Sequence, residues 1–228
     1  MKFIIFGLGN YGYSLATKLT ELGHEVIGVD NSMSKVDSLK DRISQVICMD
    51  STDKESVSTL PLRDTDISFV CIGEDDRASI MTSALLTQLK AKRIIGRAVS
   101  VLQQTVLEAM GIKEIVHPEK ESAERMAKVF DIEGVIDSLH IAGEHDIVEV
   151  KVPDMFVGKT IEELSLREKY NVLVVTIIKI KKTSNLIGQL KEVKEAEGVV
   201  GPNTVLKNND IMVLYGNIKD IKKLIKDA

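Results

Sequence analysis

Residues Ile4 to Asp30 read IIFGLGNYGYSLATKLTELGHEVIGVD, and this stretch decides the fold. An apolar run ends at Phe6, and Gly7-Leu8-Gly9-Asn10-Tyr11-Gly12 follows, with glycine at its first, third and sixth positions. Tyr11, Leu15, Leu19 and Leu22 then fall on one helical face, and a second apolar run, Glu25–Val29, closes on Asp30. Strand, glycine turn, helix, strand and acid in this order make a dinucleotide-binding fingerprint. Gly7 permits the sharp turn, Gly9 lets backbone approach a pyrophosphate, and Gly12 allows close packing of helix on strand. The helix starting near Asn10 and Tyr11 offers unpaired N–H groups and its positive dipole end to a phosphate. Asp30, 18 residues beyond Gly12, can accept both hydroxyls of a ribose and would repel a 2′-phosphate.

The same alternation continues to residue 116. Phe3–Phe6, Glu25–Val29, Gln45–Cys48, Ile67–Ile72, Arg93–Arg97 and Glu114–Val116 are short, apolar and rich in β-branched residues. Amphipathic stretches separate them at about 32–41, 53–60, 75–90 and 101–110. Six strands alternating with helices predict an α/β domain with a doubly wound, Rossmann-like parallel sheet, its apolar strands buried on both faces. His117-Pro118-Glu119 then opens a helix with Ala123, Met126, Ala127 and Phe130 on one stripe, Pro118 suiting its first turn. With no strand expected to return it to the sheet, this helix reads as a linker or a dimer-forming arm.

From Ile136 the pattern changes to a small α+β C-terminal domain. Its expected elements are a strand at Ile147–Val152, a short helix at Lys159–Leu164 and a strong strand at Val172–Ile180. A polar excursion, Lys181–Glu197, interrupted by Leu186 and Ile187, reads as a solvated hairpin or loop. Thr204–Lys207, a turn at 208–210, Ile211–Tyr215 and an amphipathic helix carrying Ile218, Ile221, Leu224 and Ile225 complete it. The expected domains are 1–135 and 136–228.

Composition removes several classes. The 228 residues are 44% hydrophobic and 28% charged, as in a globular protein that buries a core. Net charge is −4, the acidic excess lying before residue 136, and there is no Trp. Neither the basic balance nor the aromatic platforms of a nucleic-acid binder are present. Cys48 and Cys71 lie in apolar runs and are expected in the core, and two isolated cysteines make no disulfide framework or zinc site. The apolar N-terminus is too short for a signal peptide, and Val172–Ile178 falls far below the ~20 residues of a membrane span. A cytoplasmic chain is expected.

More candidate residues lie where the strands end. Asn31 follows Asp30. Asp50-Ser51-Thr52-Asp53 follows the third strand, where an adenine would lie, and Ser51 or Thr52 can bond the base or cap the next helix. Gly73 borders the fourth strand, and the acids 74–76 after it read as a helix cap. Arg97 ends the fifth strand and can pair with phosphate or with those acids. An oxidoreductase would need an acid or base beside the nicotinamide. The histidines, 24, 117, 140 and 145, are not placed for that, and no Tyr-xxx-Lys pair stands at this edge. His140, Glu144, His145 and Asp146 could ligate a metal, but read better as a solvated linker.

The segments FIIFGLGNYG, LGHEVIGVD, ICMDSTD, IGRAV and IVHPEKESAERMA resemble the regulatory (RCK, or TrkA-N/KTN) domain of prokaryotic potassium channels and transporters. VPDMFVGKTIEELSLREKYNVLVVTI and GPNTVLKNNDIMVLYGNIKDI resemble the TrkA-C domain that follows it. The resemblance covers nearly the whole chain in the right order. It implies a non-enzymatic, cytosolic regulatory subunit of a Trk/Ktr potassium uptake system, peripherally attached to the membrane through a K+-translocating partner. It implies homodimers, joined through the helix after Pro118, in an octameric ring. It implies an adenine nucleotide, ATP or ADP, or NAD(H) in some relatives, at the glycine turn, Asp30 and the Asp50 loop. Glu119 matches a glutamate that can contribute to a Mg2+ or Na+ site between subunits, and equally suits a first-turn helix acid. Asn10 stands where such members often carry an arginine; it can bond a phosphate but supplies no charge. Some relatives bind cyclic di-AMP in the C-terminal domain, and nothing in residues 136–228 decides that. A sensor for another transporter keeps the same fold; a small NAD-dependent oxidoreductase lacks its acid–base group.

Overall fold

A computed structural model describes residues 1–184 and 190–228, which divide into two units, Met1–Lys120 and Glu121–Ala228. In the first, β1 (Lys2–Phe6), β2 (Glu25–Asp30), β3 (Gln45–Cys48), β4 (Ile67–Val70), β5 (Ile94–Arg97) and β6 (Glu114–Val116) form one sheet. The order is β3-β2-β1-β4-β5-β6 and every pair is parallel. The crossovers carry α1 (Asn10–Glu21), α2 (Met33–Leu39), α3 (Lys54–Ser58), α4 (Asp76–Gln88) and α5 (Val101–Ala109).

The apolar run of β1 explains itself in this setting. Phe3 and Ile5 pack in one core with Ala16 of α1, while Ile4 and Phe6 pack in another with Leu85 and Leu86 of α4. A strand covered on both faces needs apolar residues at every position, and each such burial stabilises by about 1.5–3 kcal/mol. Strand order reverses between β1 and β4, which opens a crevice at the carboxyl ends of the strands.

The cysteines part company. Cys71 is buried, but Cys48 is exposed, contrary to the core expectation. β3 is an edge strand and Cys48 its last residue, with its thiol 3.7 Å from the Asn31 carbonyl oxygen.

The second unit is antiparallel. β7 (Val135–Ala142), β8 (His145–Lys151), β9 (Leu173–Ser184), β10 (Leu190–Ala196) and β11 (Ile211–Asn217) run in the order β10-β9-β11-β8-β7. α6 (Pro118–Asp131) crosses the division, which falls ahead of the boundary drawn near residue 135. Its later turns belong with the second unit because Val129 packs on that core and Lys128 bonds Asp146 at 2.6 Å. Phe130 is 81% exposed, so the apolar stripe of α6 is not spent on this chain's own core.

Three sequence expectations change here. Residues 140–146 are no solvated linker: β7 and β8 pair as a hairpin turning at Gly143, φ +59, and Glu144. Thr204–Lys207 supplies a single bridge, Val205 to Thr160, rather than a strand. A further helix, α8 (Leu166–Tyr170), follows α7 (Ile161–Leu164) directly. Thr160 and Glu163 close a capping box at α7. Val148, Val150, Ile177, Met212 and Leu214 of the sheet bury against Ile221 and Leu224 of α9 (Ile218–Asp227). The flanks of the polar excursion pair as β9 and β10; Leu186 and Ile187 lie outside the described residues. Among the described residues, no helix is long and apolar enough to cross a membrane.

Candidate nucleotide-binding site

The crevice of the first unit has a volume of about 300 Å3 and collects residues from six connections along the sheet edge. Gly7, Gly9, Asn10 and Tyr11 come from the β1–α1 turn, and Asp30, Asn31 and Lys35 from the end of β2 and α2. Asp50 and Ser51 follow β3, Gly73 follows β4, Arg97 ends β5, and Glu119 opens α6. Gly12 and Thr52, expected here from the sequence, do not line it.

The three glycines divide their work. Gly7 has φ +90, and a Cβ there would lie 2.9 Å from the Ile72 amide nitrogen. A Cβ at Gly12 would sit 1.9 Å from the Gly7 carbonyl oxygen, so Gly12 serves packing and not ligand contact. A Cβ at Gly9 would meet nothing within 4 Å. Gly9 is also the N-cap of α1 and has no side chain to cap it, leaving the helix start open toward the crevice.

Asp30 is 7% exposed and already engaged. Its Oδ2 accepts the Leu8 N–H at 2.7 Å and its Oδ1 accepts the Ser32 N–H at 2.9 Å. An ionised carboxylate has about four acceptor positions, so two remain for a ribose diol. Lys35, which the sequence did not single out, puts Nζ 3.8 Å from Asp30 and 4.0 Å from Glu74. Its place five residues after the strand-end acid, at the start of a helix, was the available signal.

The Asp50 loop is built from its own side chains. Asp50 Oδ1 accepts both the N–H and the hydroxyl of Thr52, at 2.8 and 2.7 Å, which turns Thr52 inward to the loop rather than to a ligand. The Ser51 hydroxyl lies 2.9 Å from that of Thr82, a buried α4 residue with no sequence signal, which also donates to the Ser51 carbonyl oxygen at 3.2 Å. Asp53 caps α3, and hydrogen bonds from the Ser56 hydroxyl and N–H hold its carboxyl below the usual carboxylate range. Asp75 caps α4 by accepting the Ala78 N–H at 2.9 Å.

Arg97 is the main cation on the far side. Its Nη1 donates to the Cys71 carbonyl oxygen at 3.1 Å, its Nη2 donates to Glu119, and its guanidinium lies 5.8 Å from the Tyr11 ring centroid. Its Nε is buried without a hydrogen-bond partner. Partial burial pushes the Glu119 carboxyl up, but its own N–H and the Arg97 guanidinium outweigh this and hold it below the ordinary value. Burial pushes the Cys71 thiol up to about 12, so it is inert.

No histidine lines the crevice. His24 packs against Phe3, and His117 Nδ1 lies 3.1 Å from the Ala98 carbonyl oxygen. The set at 140–146 does not converge: Asp146 takes His140 and Lys128, Glu144 takes Lys219, and His145 stacks on Tyr215. Among the described residues no three such side chains are grouped to hold a metal.

With this geometry established, the TrkA-N domain matches residues 3–118 and the TrkA-C domain matches residues 147–227. The chain belongs to the TrkA-N/TrkA-C family. Ktr system potassium uptake protein C of Bacillus subtilis is 32% identical over 99% of this chain and 96% of that protein. Ktr system potassium uptake protein A of the same organism is 28% identical over 97% of this chain and 94% of its own length. Among solved structures, the GsuK channel bound to NAD superposes with a TM-score of 0.65 at 20% identity, over 98% of this chain and 39% of that one. That likeness shows a shared fold.

Proposed function

We propose that this chain is the nucleotide-gated regulatory subunit of a Ktr-type potassium uptake system, attached to the inner face of the membrane through a K+-translocating partner. Its relatives over nearly full length carry the name of that system. The observation that carries the nucleotide reading is the pairing of two groups across the open Gly9: the Asp30 carboxylate with unused lone pairs, and the Arg97 guanidinium with an unpartnered Nε. The first suits a ribose and the second a phosphate. An adenine nucleotide, ATP, ADP or NAD(H), satisfies both. Ser51 and Asp50, which line the crevice after β3, are the residues proposed for its base. A cation such as Mg2+ or Na+ would use Glu119, an exposed acid of the crevice.

The commitments of several crevice groups support a reading of binding rather than catalysis. Asp75 is committed to a helix cap, Glu119 to Arg97, and the Cys71 thiol is inert. In a dimer or ring of such chains, a ligand would shift conformation only by binding one state more tightly than another. α6, with Met126 and Phe130 exposed, is the face proposed for the dimer. The test is to identify the nucleotide retained on purification, then measure affinity and particle mass with ATP, ADP and NADH. Equal affinities with unchanged assembly and unchanged K+ flux through the reconstituted system would refute gating.

A further inference from the structure

The Arg97–Glu119 pair is lopsided. The Arg97 side chain is 14% exposed and held by the Cys71 carbonyl, by the Tyr11 ring and by a wall at Gly73, where an added Cβ would lie 2.5 Å from Nη1. The Glu119 side chain is 60% exposed and projects from the first turn of α6. The guanidinium is thus anchored, while the carboxylate can swing toward water at little cost. Carboxylate and phosphate compete for the same fork of donors on the guanidinium.

We propose that Glu119 is an internal counter-ion that occupies the anion position on Arg97 in the unliganded crevice and is displaced by the phosphate of a bound nucleotide. The exchange rests on the nucleotide reading above and adds a regulatory step to it. Phosphate frees the Glu119 carboxylate in the opening turn of α6, the helix in which the division between the two units falls. By linkage, anything that holds Glu119 away from Arg97 must tighten phosphate binding by the same factor. A cation captured by the released carboxylate would do so.

The experiment is calorimetric titration of the full chain with adenosine and with ADP, in sodium-free buffer containing EDTA so that no metal bridges carboxylate and phosphate. Thermal melts of each variant establish that it is folded. Glu119→Gln should tighten ADP by about 3- to 10-fold, the worth of a partly exposed ion pair, and leave adenosine unchanged. In an Arg97→Gln background the same substitution should no longer tighten ADP. If E119Q leaves ADP binding equal or weaker, or if its gain persists without Arg97, the exchange is overturned. If the folded wild-type chain binds neither adenosine nor ADP, the nucleotide reading falls and the exchange with it.

Discussion

The Asp30 carboxylate accepts the Leu8 backbone N–H at 2.7 Å, tying the end of β2 to the turn that follows β1. An acid that reads in the sequence as a ribose ligand is therefore also a buried clamp on the glycine turn. Asp30→Ala should weaken adenine nucleotide binding and destabilise the first unit together, the latter by about 1–3 kcal/mol for an orphaned buried donor. Denaturant unfolding and adenosine titration check the two effects. Loss of affinity with no loss of stability would remove the clamp role.

Gly9 and Gly12 should behave oppositely. A Cβ at Gly12 collides with backbone at 1.9 Å, and Gly12→Ala should cost more than about 3 kcal/mol or prevent folding. A Cβ at Gly9 meets open space, and Gly9→Ala should melt within a few degrees of wild type while binding nucleotide more weakly. Thermal unfolding alongside calorimetry separates them.

Gly73→Ala reaches the same site through Arg97. Its new Cβ lands on the guanidinium, a movable group, so the fold should survive while Arg97 is pushed from the Cys71 carbonyl. ADP affinity should fall about 10-fold, the order of one charge-assisted hydrogen bond, with adenosine affinity nearly kept. Equal loss for both ligands would place Arg97 away from the phosphate.

Asp146 should govern acid stability in the second unit. It is 1% exposed, and burial pushes its carboxyl up, but hydrogen bonds from Lys128 and His140 prevail and hold it below its ordinary 3.8. A folded-state value below the unfolded one adds stability above the unfolded value, and that stability is lost as pH falls through the folded one. Asp146→Asn should therefore cost roughly 1.5–3 kcal/mol at pH 7 and at pH 5, with the gap to wild type closing below about pH 4. Chemical unfolding across that range measures it; a gap that grows on acidification would contradict the sign.

Much of this was legible because it is local. The glycine spacing, the β-branched runs and Pro118 each act within a few residues, and the parallel sheet follows from their alternation. β7 escaped because its polar residues concealed a strand, although the Gly143-Glu144 turn between Ala142 and His145 is a hairpin signal. Cys48 reads as core because sequence alone does not reveal which strand lies at a sheet's edge.

By itself, the chain's sequence determined that a glycine turn joins the first strand to a helix at the carboxyl edge of a parallel sheet, since the spacing of the glycines and the alternation of strands and helices are local patterns. Tertiary structure decided which side chains share that edge. Lys35 beside Glu74, Thr82 under Ser51, and Glu119 on Arg97 are contacts between different connections of the sheet, set by how the sheet twists and its strands order. Sequence distance does not encode them. Asp30, engaged by Leu8, and Gly12, stopped by Gly7, owe their roles to the same fact: at close packing the nearest atom, and not the motif, decides what a residue does.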